Sequence, residues 1–288
     1  MPELPEVETV RTGLQKLIIG KTIHAATHDT VRSFPNSPED AASYMIGASV
    51  DSIRRRGKAL IIALSSGYSL VVHLKMTGQL VYVGDVRFGA GHPSDSLVGT
   101  LPDKSTRVTI EFSDGTKLYF NDQRKFGWMR LMPSVQVADL PFMQRLGPEP
   151  LEESFTVADF HERLSRRPRS NIKAVLLDQT VIAGVGNIYA DESLWGARIH
   201  PKRLTGTLTK SEKELLYKEV RFVMNLSIEK GGSSNQTYVN AEGKKGSYMD
   251  FARVFRRENQ LCQRCGTVIE KIRVAGRGTH ICPTCQQE

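Results

Sequence analysis

A proline directly behind the first methionine, with a glutamate beside it, opens this chain as Met1-Pro2-Glu3-Leu4-Pro5-Glu6-Val7-Glu8. Loss of Met1 would expose a secondary amine with a reference pKa of about 7.7 to 8.0, so a substantial fraction would be neutral and nucleophilic near neutral pH. Attack by such an amine on a sugar anomeric carbon or a carbonyl gives a cationic iminium, an electron sink of the Schiff-base kind. That chemistry also needs a carboxylate to protonate the sugar and to move protons during elimination. Glu3 is adjacent, and Glu6 is one helical turn away. The same residues have a purely structural reading, in which Pro5 begins a helix and Glu6 and Glu8 suit its positive end. Pro2 and Glu3 are left unexplained by it.

Metal binding is the second chemistry. The four cysteines read Cys262-Gln-Arg-Cys265, then sixteen residues, then Cys282-Pro-Thr-Cys285. In this spacing two knuckles close one tetrahedral zinc site. Two disulfides would use the same residues, but a basic chain with no visible secretion signal favours the metal. Four thiolates leave no open coordination position, so the expected zinc is structural.

Three further constellations could hold an anion or a duplex. Gly184-Val-Gly-Asn187 opens a helical stretch, where backbone N–H groups can bind phosphate and Asn187 adds a donor. A helix–helix turn would use the same glycines for geometry alone, and Lys173 ahead of it would then be a solvated lysine. Val274-Ala-Gly-Arg277-Gly-Thr279 sets an arginine fork at a hairpin tip, suited to phosphate oxygens. Met76 in HLKMTG, with Arg124 and Phe126 in NDQRKFG, pairs apolar wedges with an arginine, as proteins that hold open a kinked duplex do. Ordinary core packing is the alternative for Met76 and Phe126.

The elements that must position these residues change character along the chain. Val7, Val10, Leu14, Leu17 and Ile18 recur at three- and four-residue steps, predicting an amphipathic first helix. From about residue 20 to 132 the pattern is strands, with hairpins at Ser65-Ser66-Gly67 and Asp114-Gly115. Residues 83–104 and 133–150 read as loops or linkers. Helical periodicity follows from Ser154, through NIKAVLLDQ, IYADESLWGA and a long segment from Lys210. Residues 231–246 read as a mobile loop. The expected architecture is α+β and multidomain, divided at 1–132, 133–230 and 231–288. Net charge is +8 with a pI near 9.3, which suits an anionic partner. Residues 231–288 carry nine Lys or Arg against five Asp or Glu, so half the excess lies on a fifth of the chain. With no apolar run of membrane length and no signal peptide in view, a soluble cytoplasmic protein is expected.

Together these segments resemble the bacterial formamidopyrimidine-DNA glycosylases. PELPEVETV, RRRGK around Lys58, HLKMTG, DQRKFG, DQTVIAGVGNIYADE and the terminal CQRC…VAGRGTHICPTC match that family's motifs in the same order. The resemblance implies an N-terminal β-sandwich bearing the first helix, a helix-two-turn-helix domain and a C-terminal zinc finger built as a β-hairpin ribbon. It implies a monomeric base-excision enzyme that removes oxidised purines from duplex DNA and cleaves abasic sites by β,δ-elimination. Carried over residue by residue, Pro2 is the nucleophile, Glu3 the general acid/base, and Lys58 the amine of the eliminations. Arg277 holds phosphate and assists the last step. Lys173 and Asn187 match phosphate- or substrate-contacting positions, and Met76, Arg124 and Phe126 fill the space of the extruded base. Cys262, Cys265, Cys282 and Cys285 hold one structural zinc. Gln123 and Lys125 depart from the proline and arginine common in the family, and the 83–104 segment looks longer than usual. The 231–246 loop shows no identifiable lesion-capping residue. An endonuclease VIII-like enzyme for oxidised pyrimidines and a non-catalytic zinc-containing DNA-binding protein are the competing readings.

Overall fold

A computed structural model describes residues 1–233 and 247–288. The expected loop at 231–246 therefore lies outside the described residues except for its first three. The chain forms two compact units, one of residues 1–144 with 231–247, the other of residues 145–230 with 248–288.

The first unit begins with helix α1 (Leu4–Ile18), followed by β1 (Ile23–His28), α2 (Pro38–Tyr44), β2 (Val50–Arg56), β3 (Ala59–Leu64) and β4 (Tyr68–His73). Then come β5 (Gly78–Val83), β6 (Arg87–Gly91), β7 (Thr106–Phe112), β8 (Lys117–Asp122) and β9 (Trp128–Pro133), with α3 (Pro141–Arg145) at its end. The strands make two antiparallel sheets, ordered β1-β7-β8-β5-β6 and β2-β3-β4-β9. A single core joins Val7, Val10, Leu14 and Ile18 of α1 to Leu60, Ile62 and Val72 of one sheet and Leu80, Ile110 and Phe120 of the other. The helical spacing of apolar residues in α1 thus serves to seal the sandwich.

The 83–104 segment is not wholly a loop. Residues 87–91 pair with β5 in register Gln79↔Gly91 through Val83↔Arg87 and extend the five-stranded sheet. Phe88 makes this edge strand useful: it packs so closely on α1 that a Cβ at Gly13 would lie 2.0 Å from its ring. The return is closed by Ser96 Oγ donating to Asp103 at 2.6 Å and Arg87 Nε donating to Leu97 O at 2.9 Å.

The second unit holds α4 (Val157–Ser165), α5 (Ile172–Leu177), α6 (Asn187–Gly196), α7 (Lys210–Glu229) and the hairpin β10 (Glu270–Val274) and β11 (Arg277–Ile281). Thr156, Asn171 and Thr209 cap α4, α5 and α7 with side-chain oxygens, satisfying amides that would otherwise be orphaned. Residues 189 to 196 of α6 are all buried, so this is the unit's central helix. No described helix is long and apolar enough to cross a membrane.

Candidate functional site

The N-terminal pair sits at the mouth of α1. Pro2 is buried, Glu3 is 2% exposed, and Met1 ahead of them is 45% exposed and so open to removal. Glu6, in the first turn, accepts the Glu3 amide at 2.8 Å with one carboxylate oxygen and the Ser233 amide at 2.8 Å with the other. The negative charge there also faces the positive end of the helix. Glu3 thereby stands as the N-cap of α1, in a capping box with Glu6.

Lys58 follows the Gly57 turn between β2 and β3 and is buried. Arg55 ties this turn to α1, donating from Nε to Glu8 at 2.9 Å and from Nη1 to Gly57 O at 3.1 Å. Burial alone would raise the Glu8 carboxyl, but hydrogen bonds from Arg11 and Arg55 outweigh it and hold Glu8 below its usual range. His73, at the end of β4, is pushed down to about 3, first by burial and then by the Lys75 and Lys58 ammonium groups. A neutral imidazole beside Lys58 adds no repulsion to that cation. Its Nδ1 accepts the Lys75 amide at 3.1 Å, at a residue with φ of 49°.

The two candidate wedge turns are joined. Asp122 accepts the Thr77 hydroxyl and the Arg124 amide (3.2 Å) on one oxygen and the Gly127 amide (2.6 Å) on the other. Thr77 also accepts the Arg124 amide at 3.0 Å. The turn carrying Met76 is thereby locked beside the turn carrying Arg124 and Phe126. Neither apolar residue is core: Met76 is half-buried and Phe126 is 41% exposed. The Arg124 guanidinium lies over the Phe126 ring at 5.0 Å, with Arg32 at 5.5 Å.

In the second unit, Gly184 has φ of 83° in the turn before α6, and its amide donates to Gln179 at 2.9 Å. Asn187 opens α6 and donates its side-chain amide to Gly278 O at 2.9 Å. Lys173 is neither a solvated lysine nor directed outward: it is 0% exposed, with Nζ 2.6 Å from Asp191 and 2.7 Å from Thr279 Oγ1. Asp191 also accepts the His280 amide at 2.9 Å. This buried network fixes β11, whose first residue, Arg277, is exposed. The tip is a two-residue turn with φ of 50° at Ala275 and 72° at Gly276, the mirror-image turn that suits strand twist.

The four cysteine sulfurs lie within 4.8 Å of one another. Separations of 4.0 Å (Cys262–Cys285), 3.4 Å (Cys265–Cys282) and 3.5 Å (Cys265–Cys285) bracket the edge of about 3.8 Å expected for a tetrahedron with Zn–S bonds of about 2.3 Å. The Thr267 hydroxyl and amide hold the Cys265 thiol down at about 6, while burial pushes Cys282 up to about 12. The donor set fits zinc.

Sequence reasoning had passed over the residues that orient the others. Arg55, Asp122, Asp191 and Glu192 all stand inside motifs already singled out, but their partners are remote in sequence. Glu192 is 0% exposed and accepts the amides of Arg253, Val254 and Phe255 at 2.8, 2.9 and 2.8 Å.

Comparison with known proteins agrees across the length of the chain. Residues 1–129 match the formamidopyrimidine-DNA glycosylase N-terminal domain, 146–239 the H2TH domain of the same enzymes, and 259–287 a zinc finger found in FPG and IleRS. The formamidopyrimidine-DNA glycosylase of Latilactobacillus sakei is 39% identical over 286 residues, covering 99% of this chain and 98% of that protein. That of Streptococcus pneumoniae is 41% identical over 289 residues, covering 100% and 99%. Among solved structures, the Lactococcus lactis Fpg in complex with abasic-site DNA has a TM-score of 0.87 at 37% identity, covering 99% of this chain and 100% of that one. A Lactococcus lactis mutant bound to Fapy-dG DNA has a TM-score of 0.87 at 36% identity, with full coverage of both chains.

Proposed function

This chain belongs to the formamidopyrimidine-DNA glycosylase family, and from that premise we propose how its own residues divide the work. It is a base-excision DNA glycosylase for oxidised purines with AP lyase activity, acting on damaged duplex DNA and carrying one structural zinc. Base extrusion precedes chemistry, because the bond to be cut is inaccessible inside a stacked duplex. The Pro2 nitrogen, freed of Met1, gives its lone pair to C1′ while the base departs with the glycosidic electron pair. The attached nitrogen then loses its proton, and its regained lone pair opens the sugar ring as Glu3 delivers a proton to the ring oxygen, leaving an iminium between Pro2 and C1′. Loss of a C2′ proton then expels the 3′ phosphate, and a further proton loss expels the 5′ phosphate. Lys58 carries protons in these eliminations. Arg277 offers its fork to a phosphate leaving group, and Asn187 with the amides opening α6 offers donors to backbone phosphate. Lys173 serves this reading indirectly, by holding the hairpin that carries Arg277. Zinc on the four thiolates supplies folding free energy to the hairpin module and, with no open position, no reaction step. We place the enzyme in the bacterial cytoplasm, a reading supported by its bacterial relatives and its DNA substrate.

One observation carries the assignment: Pro2 and Glu3 sit buried at the start of α1 while Met1, immediately before them, is exposed. A variant with one residue inserted before Pro2 is therefore expected to bind lesion DNA yet lose both base release and borohydride trapping. Normal turnover by that extended chain would remove Pro2 as nucleophile.

A further inference from the structure

Arg32 lies outside every motif that the sequence singles out, yet its guanidinium sits 5.5 Å from the centre of the Phe126 ring. The segment that delivers it joins β1 to α2 and is anchored on both sides of Arg32. Asp29 accepts from Arg107 Nη1, and Arg107 Nε donates to Asp122 O at 2.7 Å. The start of the segment is thus tied to the residue that locks the two wedge turns. Beyond Arg32, Ser33 O accepts the Met129 amide at 2.8 Å, and Phe34 enters the core of the sandwich. Asn36 then pairs with β9 as a strand would, donating from Nδ2 to Leu131 O at 2.7 Å and accepting the Leu131 amide at 2.8 Å. The backbone of Arg32 is thereby held beside the turn that enters β9.

The ring needs such a partner. Phe126 is 41% exposed and lies in a turn where Lys125 has φ of 56°, so the turn fixes its backbone while little protein surrounds its side chain. A guanidinium plane laid on the ring narrows its torsions before DNA arrives, so less conformational entropy is lost on insertion. Arg124 lies over the same ring at 5.0 Å. Among the described residues neither guanidinium has a carboxylate partner, so two cations without counter-charge share one aromatic surface. Each is drawn to the ring and repelled by the other. The phosphates of a bound duplex supply the missing counter-charge. The stack is therefore firmest when the ring must leave water for the vacated base position.

We infer that Arg32 is a positioning residue for the wedge: its guanidinium holds the Phe126 ring in the attitude for insertion. The inference rests on the wedge reading of Phe126 and adds to it a residue 94 positions earlier in the chain. Arg32 acts through the ring and touches no reacting atom. Its contribution is confined to the step that empties the stack, before any bond to the sugar is broken.

A double-mutant cycle reads this coupling directly. In single-turnover excision of 8-oxoguanine opposite cytosine, with enzyme saturating, Arg32→Ala should slow the rate by about two- to five-fold, the size of an exposed cation–π contact. The same change made in Phe126→Ala should cost nothing further, because the ring through which Arg32 acts is gone. In the free protein, the Phe126 ring resonances, identified by their absence in Phe126→Ala, should shift in Arg32→Ala. A merely structural role for the segment, or a general contribution to DNA affinity, would slow both backgrounds alike. Equal factors in the two backgrounds would therefore overturn the inference. So would a wild-type rate in Arg32→Ala, or ring resonances that do not move. If Phe126→Ala itself excises at the wild-type rate, the wedge reading falls and the inference with it, an outcome distinct from a failure of Arg32 alone.

Discussion

Asp122→Asn changes almost nothing in volume and asks whether the two wedge turns work as one piece. The carboxylate accepts from Gly127 on one oxygen and from Thr77 and Arg124 on the other. An amide has one acceptor oxygen, so in either orientation its NH2 faces a donor. If the NH2 faces Gly127, a 2.6 Å bond to a charged acceptor is lost; turned the other way, the Arg124 amide loses its 3.2 Å acceptor and the Thr77 hydroxyl must reverse. The smaller loss is about 1.5 to 3 kcal/mol, since Asp122 is 1% exposed and water does not replace the missing partner. We expect most of it to appear in wedge placement, because the released amides belong to the turn that carries Phe126. About 2 kcal/mol withdrawn from insertion corresponds to roughly thirty-fold in rate. Single-turnover excision of 8-oxoguanine opposite cytosine should therefore slow by about that factor. Strand cleavage at a preformed abasic site, where no base must be extruded, should stay near wild type. Phe126→Ala should share the pattern, and thermal unfolding of the Asn variant should show a modest loss. Equal slowing on both substrates would refute the reasoning, since it would mean that Asp122 supports the fold or general binding.

Arg277→Ala should retain its zinc while DNA binding weakens, and the slope of log affinity against log salt should become shallower by about one phosphate contact; an unchanged slope would take Arg277 off the backbone. His73 makes a pH prediction. Its folded pKa of about 3 lies below the usual 6.5, so the unfolded chain takes up a proton that the folded chain refuses as pH falls between those values. Stability from this residue is fully present above pH 6.5 and is lost downward at up to about 1.4 kcal/mol per pH unit. Denaturant unfolding of His73→Gln across this window should show a shallower acid slope than wild type; parallel slopes would mean that His73 titrates normally.

What could be read from the chain were features set by neighbours in sequence. Helix α1 announced itself by its apolar spacing, the hairpins by their turn residues, and the metal site by two C-x2-C pairs. Pro2 and Glu3 drew notice because the helix that begins at Pro5 in the sequence reading leaves them unexplained, whereas in the structure Glu3 caps that helix. The misses share a cause in distance along the chain. Lys173 reads as a solvated lysine until Asp191 and Thr279, 18 and 106 residues away, close over it. Asp122 serves Thr77 from 45 residues away. Residues 87–91, Arg-Phe-Gly-Ala-Gly, lack the alternation that marks a strand. They become one because β5 offers an unpaired edge and Phe88 finds the gap over Gly13.

Helix α6 has a consequence for the order in which the second unit can mature. Asp191 receives the His280 amide across 89 residues, and Glu192 receives three successive amides from residues 253 to 255, some 61 to 63 residues later. Trp195 waits for the first knuckle in the same way. During synthesis α6 therefore leaves the ribosome with a Glu192 carboxylate and a Trp195 side chain whose partners do not yet exist, while Asp191 already has Lys173 but not the His280 amide. Glu192 stays hydrated until residues 253 to 255 are released, because burying it alone would cost several kcal/mol. The C-terminal module then docks onto a helix that already presents its acceptors in the right order, and metal capture is a late event on a preformed template. A ribosome stalled within the last forty or so codons would hold a folded sandwich beside an unfinished helical unit. A nascent chain arrested there should be cut by protease between residues 145 and 230, and the same segment should resist once the cysteines have emerged and zinc is supplied.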